Sequence, residues 1–187
     1  MAIAEELIAI HGPADFQLQD VAARLGVKAP ALYNHFASRE HLVSEVARKV
    51  TRDCIEIMVR RPGEDLMTTF RNYAQKLVAY FVDNPAAPRM ILWDFAKDGV
   101  KGWEEAAALD SWAHDRSASA FERAVRAGEF RDIRFDYYYA VLVAGLAALA
   151  LSPNYDRGAR RVSTKRLQAE ADDLVVRLLS PDRPPKV

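Results

Sequence analysis

Within the twelve positions from 28 to 39, Lys28, Tyr33, Asn34, His35 and Arg39 gather an ammonium, a phenol, a carboxamide, an imidazole and a guanidinium. An ammonium and a guanidinium neutralise phosphate oxygens, a carboxamide pairs with a base edge or a phosphate, and a phenol and an imidazole donate to sugar-phosphate oxygens. Ala29, Pro30 and Ala31 between them are small, which lets a short helix enter a major groove about 12 Å wide without collision. Gln17 flanks the set from the start of the preceding segment. The chemistry these side chains suit is noncovalent recognition of double-stranded DNA; the alternative is that Tyr33, His35 and Phe36 only close a small helical core. Lys28 and Asn34 are the two side chains best suited to reading sequence.

Covalent chemistry has little support. Asp110 and His114 share a helix face at i, i+4, but no third ligand at metal spacing and no activated nucleophile accompanies them. Cys54 has no histidine near it in sequence and reads as a small hydrophobe. Asp94 with Asp98 reads as a solvated helix face, and no glycine-rich phosphate loop is present. The expectation is a protein that is not an enzyme and carries no cofactor or metal.

The donors need a scaffold. Leu18, Val21, Ala22 and Leu25 fall at i, i+3, i+4 and i+7, an apolar stripe on a helix of about two turns. Gly26 follows where a left-handed cap needs a residue without Cβ, and Val27 is expected to plug the corner. A second helix begins at Ala29, with Pro30 in its first turn and Leu32 and Phe36 facing inward. Ser38 caps the next helix, with Glu40 in its first turn and Leu42 returning to the core. Helix, tight turn and short helix make a helix-turn-helix.

The string GVKAPALYNHFASREHL resembles the signature of the tetracycline-repressor (TetR) family of one-component transcriptional regulators. The match rests on Gly26, Val27, Leu32, Tyr33, His35, Phe36 and Arg39 and covers about residues 3 to 47. The resemblance implies groove entry by Lys28 to Asn34 and phosphate contacts from Tyr33, His35 and Arg39. It departs from the family at Lys28, where a capping Ser is common, and at Gln17, where Thr or Ser is usual, so both helix starts are expected to lose a side-chain acceptor. The helix ahead of them is expected to be about two turns long, without the basic arm many relatives carry.

Composition bounds the rest. The chain has 187 residues, half of them hydrophobic, with 26 basic and 26 acidic side chains. In residues 1 to 50 acids slightly exceed bases, so DNA binding must come from a local patch, doubled by dimerisation. The single cysteine excludes an internal disulfide and suits a reducing cytoplasm. No signal peptide is visible. The run Tyr137 to Leu151 is uncharged but short of the roughly 20 residues that span a bilayer, so no membrane is expected as partner.

The pattern beyond the first unit is helical, punctuated by Pro and Gly, which makes the chain all-α: a three-helix DNA-binding domain at 1–47 and a helical bundle at 48–187 for effector binding and dimerisation. Helices are expected at Arg39 to Arg60, Glu64 to Val82, Pro85 to Lys97, Glu104 to Arg126, Tyr137 to Leu151 and Thr164 to Leu179. Asp98-Gly99 should break the third of these, and a Ser152-Pro153-Asn154 turn and a basic loop should precede the last. The apolar and small-sided 137–151 helix, with Ala144, Gly145, Ala147 and Ala148, and the 164–179 helix, with Leu167, Ala171, Leu174, Val175, Leu178 and Leu179, suggest an isologous homodimer. Tyr73, Phe81, Met90, Trp93, Trp103 and Trp112, with Asp110 and His114 as polar points, are candidate walls for an apolar or aromatic effector of small size. The whole reads as a cytoplasmic homodimeric regulator, a repressor on a near-palindromic operator released by that effector. The rival is a helical ligand-binding or protein-interaction module without specific DNA binding.

Overall fold

The computed structural model of the chain describes residues 1–58, 61–95, 104–152 and 162–181, with the backbone alone at 94, 95 and 104–114. Its described residues form α1 (Ala2–His11), α2 (Leu18–Leu25), α3 (Ala29–Tyr33), α4 (Arg39–Ile57), α5 (Leu66–Asp83), α6 (Ala86–Phe95), α7 (Glu104–Arg126), α8 (Phe135–Leu151) and α9 (Thr164–Leu179). The all-α expectation holds. Helix α1, at ten residues, is nearer three turns than the two expected. The expected Asp98-Gly99 break, Trp103, and the Pro153-Asn154 turn with its basic loop lie outside the described residues.

Local chemistry sets the helix ends. Asp65 caps α5 by accepting from the Thr68 amide at 2.9 Å, and Ser163 caps α9 through the Arg166 amide at 3.3 Å. Past α7 the chain turns through Gly128, whose φ of 75° lies in the left-handed region that disfavours a Cβ. Arg131 then donates its backbone N–H to the Leu179 carbonyl at 2.8 Å, fastening the α7–α8 connection to the end of α9.

Helix α5 is the axis of the body. Its Leu77, Val78 and Phe81 are essentially sealed from solvent, and it packs mainly on α9 and α8. On the α9 side the Arg71 guanidinium grips both oxygens of Asp172, at 2.8 and 2.7 Å, and Gln75 donates to the same carboxylate at 2.7 Å. The Arg71 hydrogen bonds are the chief reason the Asp172 carboxyl is held below its ordinary range. On the α8 side Phe70, Phe121, Phe130, Phe135 and Tyr138 form one aromatic knot, with Phe121 stacked on Tyr138 at 5.2 Å between ring centroids and Phe70 edge-on to it at 5.3 Å.

Tyr138 is the one polar member of that knot. Its hydroxyl is buried with no hydrogen-bond partner among the described residues, and burial pushes its pKa far up. A buried donor without an acceptor carries its full desolvation cost, so Tyr138→Phe is expected to raise stability by about 1 kcal/mol. Urea denaturation midpoints of the two proteins measure this, and an unchanged or lower midpoint would refute it.

Beyond Asp136, helix α8 is apolar on every side, yet only Phe135, Tyr138, Leu142, Val143, Leu146 and Ala147 are buried. Tyr137 is 64% exposed, and Val141, Ala144 and Ala148 also keep solvent contact. No helix among the described residues is long and apolar enough to cross a membrane.

The N-terminal helices join the body through α4 and through the packing of α1 on α6. Buried Leu42, Val46 and Val50 run along its inner side, while Ile57 and Met58 are half-buried. A polar strap reinforces the join: Lys49 meets Asp53 at 3.1 Å and Glu5 of α1 at 3.6 Å, and Tyr80 of α5 donates its hydroxyl to Asp53 at 2.9 Å. Burial opposes the Lys49 charge, but the two carboxylates more than offset it and hold the ammonium above its usual range.

Candidate nucleic-acid interface

Ala4, Leu7, Ile8, Phe16, Leu18, Val21, Ala22, Leu32, Leu42 and Val43 are buried and supply the small core on which the recognition segment rests. Helix α2 ends at Gly26, which takes the left-handed cap expected of it, with φ 68°. The Val27 amide then reaches back to the Ala22 carbonyl at 3.0 Å and closes the turn.

Two side-chain expectations at this corner fail. Leu25 is 50% exposed and Val27 44% exposed, so neither plugs the turn. The stripe on α2 is buried only at Leu18, Val21 and Ala22, little more than one turn, and Leu25 at the end of the helix stays in solvent. The lost cap at Gln17 is also partly made good. The Gln17 backbone N–H donates to Asp20 Oδ2 at 2.7 Å, the reciprocal half of a capping box. Lys28, by contrast, heads α3 with no side-chain cap, as expected.

Helix α3 is five residues long, with Pro30 in its first turn, and it is pinned by a single buried side chain, Leu32. The Phe36 amide still bonds to the Leu32 carbonyl at 3.0 Å, and the half-buried Phe36 ring meets the His41 ring edge-on at 5.8 Å. His41 accepts from the Ala37 amide through Nδ1 at 3.3 Å, and Ser38 caps α4 by accepting from the His41 amide at 3.1 Å. His41 thus holds the exit of the recognition segment. Its spacing from Ser38 was the only sequence signal for this role, and the sequence reading passed it over.

With Leu32 inside, the opposite face is open. Gln17, Lys28, Pro30, Ala31, Tyr33, Asn34 and His35 are all exposed, Tyr33 to 50%, and Ala29 is half-buried. Lys28 and Asn34 make no side-chain hydrogen bond among the described residues, so their donors face solvent uncommitted. Small residues lie between them and donors stand at either end, the arrangement a groove-entering segment requires.

Arg39 is differently placed. Its guanidinium donates to the carbonyls of Pro13, at 3.2 Å, and Ala14, while Nε and the second terminal nitrogen bond Glu40 at 3.1 and 2.8 Å. The Glu40 carboxyl lies below its usual range, first through its own backbone amide and then through Arg39. A phosphate at Arg39 would have to compete with Glu40. The two carbonyls belong to the α1–α2 loop, so Arg39 latches that loop to the start of α4. Arg39→Met should lower stability by about 1–2 kcal/mol, and Arg39→Lys should not restore it, because one ammonium lacks the planar fork. Thermal melts check both, and full stability of the Met variant would contradict the latch.

The residues expected around an effector fall into two groups, some within the described core and the others beyond the described side chains. Tyr73, Phe81 and Met90 are each at most 3% exposed in the close-packed interior, and Trp93 is half-buried against it. Asp110, Trp112 and His114 lie on α7, where the backbone alone is described, and Trp103 lies outside the described residues.

Comparison with known proteins agrees with this geometry. Residues 1–46 match the family described as bacterial regulatory proteins, tetR family. A bacterial regulatory protein in the tetR family from Rhodococcus RHA1 superposes with a TM-score of 0.74 at 15% identity, over 97% of this chain and 95% of that one. A TetR family transcriptional regulator from Thermus thermophilus gives 0.69 at 20% identity, over 95% and 98%. The ketosteroid transcriptional regulator of Mycobacterium tuberculosis gives 0.69 at 14%, over 97% and 93%. At such identities the likeness establishes the shared fold. No curated protein matches the sequence significantly.

Proposed function

We propose that this chain, whose first 46 residues match the tetR family and whose fold is shared with tetR-family regulators, acts as a homodimeric repressor released from its operator by a small molecule. The observation that carries the reading is the open face of Lys28 to His35, held out by one buried leucine within the segment that matches the family. In that reading Lys28 and Asn34 meet base edges, and Tyr33, His35 and Gln17 hold the backbone.

One five-residue helix makes few contacts, so specificity needs two copies set a helical turn apart. The solvent-facing apolar side of α8, with Tyr137, Val141, Ala144 and Ala148, supports a four-helix interface with α9 and its symmetry mate. An effector in the body prefers one separation of the two recognition helices, transmitted along α4. A preference of about 3 kcal/mol is ample for a switch of over a hundredfold. The interior of the body, with Tyr73, Phe81, Met90 and Trp93, favours an apolar or aromatic effector, and the ketosteroid regulator among the structural neighbours fits that class.

The test is a fluorescence-anisotropy titration against DNA flanking the protein's own gene, at two salt concentrations and with excess competitor DNA. Saturable binding that survives competitor and weakens with salt supports the reading. Absence of specific binding to any flanking segment would transfer the assignment to a ligand-binding or interaction module.

A further inference from the structure

A cavity of about 300 Å³ opens where α1 of the N-terminal unit meets α5 and α6 of the body. That is the lower end of the size range of small-molecule sites. None of the side chains expected around an effector lines it. Its walls are Ala9, Val50, Ala86 and Ala87, and its acidic side chains are Glu5, Glu6 and Asp83. No lysine or arginine is among the lining residues.

The three carboxylates differ in their commitments. Glu5 has Lys49 at 3.6 Å, and Glu6 is paired with Arg24. Asp83, the last residue of α5, is exposed and has no ion pair among the described residues. The cavity therefore combines an apolar interior with a negative rim whose charge is not fully compensated. A neutral apolar molecule would satisfy the walls and an inorganic cation the rim, but both features together call for one molecule with an apolar body and an ammonium head.

We propose that this cavity is a binding site for a small organic cation, with the apolar body against Ala9, Val50 and Ala87 and the ammonium beside Asp83. It is separate from the effector reading of the body interior and stands or falls without it. Because its lining comes from α1 on one side and from α4, α5 and α6 on the other, an occupant braces the N-terminal unit against the body.

The test uses the full chain and isothermal titration with phenethylammonium, beside neutral 2-phenylethanol and anionic 3-phenylpropionate. The cation should bind with the two controls at least fivefold weaker, and Asp83→Asn should cost about fivefold of the cation's affinity, the size of one partly exposed ion pair, with the melting temperature unchanged. Ala9→Leu, which fills the cavity without touching the charge, should abolish binding of the cation. Equal binding of the three probes, binding indifferent to both substitutions, or no binding of the cation at millimolar concentration would each overturn the proposal. The readout needs no DNA, so failure here and failure of operator binding are distinguishable.

Discussion

Lys28→Ala combined with Asn34→Ala should weaken operator binding by at least a thousandfold while leaving the thermal melt of the free protein unchanged. Each base-reading contact is worth about 1–3 kcal/mol, and symmetry removes every contact twice, so even the low end for two residues reaches about 4 kcal/mol. The fold should not notice, since both side chains are exposed and make no hydrogen bond among the described residues. Tyr33→Phe is the internal control. On the proposed reading it removes a donor to backbone oxygens, so it should weaken specific and nonspecific DNA alike, by a smaller factor. Anisotropy titrations with operator and scrambled duplexes separate the two patterns. Operator affinity within a few-fold of the parent protein for the double variant would remove α3 from the interface.

Phe121→Ala should be the most damaging single substitution in the body, lowering stability by about 4 kcal/mol. The ring is fully buried and lies within 6 Å of four aromatic partners, Phe70, Phe130, Phe135 and Tyr138, drawn from α5, the α7–α8 connection and α8. Truncation leaves a void that residues on three different elements cannot fill together without leaving their rotamers. Stability of a domain of this size is typically about 5–15 kcal/mol, so the variant loses a large fraction of its margin. Chemical denaturation followed by circular dichroism measures the loss. A change below about 1 kcal/mol would mean that the knot repacks freely and that its aromatic content is not structural.

How much of this was legible depends on the range of the interaction. Helix α7 ends and helix α9 begins at the residues expected from their patterns, because Gly128 and the Ser163 cap act within a few residues of the ends they set. Helix α8 starts at Phe135 rather than Tyr137, since Phe135 packs into the aromatic knot and Arg134 serves as the N-cap residue without a capping side chain to betray it. The exposed row of α3 followed from its single inward leucine. The contacts that fix the elements against one another were invisible by contrast. Arg39 reaches Pro13, Asp53 meets Tyr80, and Arg71 grips Asp172, pairs 26, 27 and 101 residues apart in the chain. No local period encodes which carboxylate or carbonyl a given cation will find. The cavity at α1 was hidden for the same reason, as its lining is gathered from residues 5 to 87.

The strap of Glu5, Lys49, Asp53 and Tyr80 bears on transplanting the reading unit onto another effector body. A graft cut after residue 47, where the sequence pattern places the boundary, would leave Lys49 and Asp53 to the recipient and strand Glu5 without its cation. A chimaera spliced beyond Asp53, into a recipient with a tyrosine at the position of Tyr80, keeps donor and acceptor together. The useful seam for interchange lies inside the connecting helix, at least a turn and a half past the apparent end of the module.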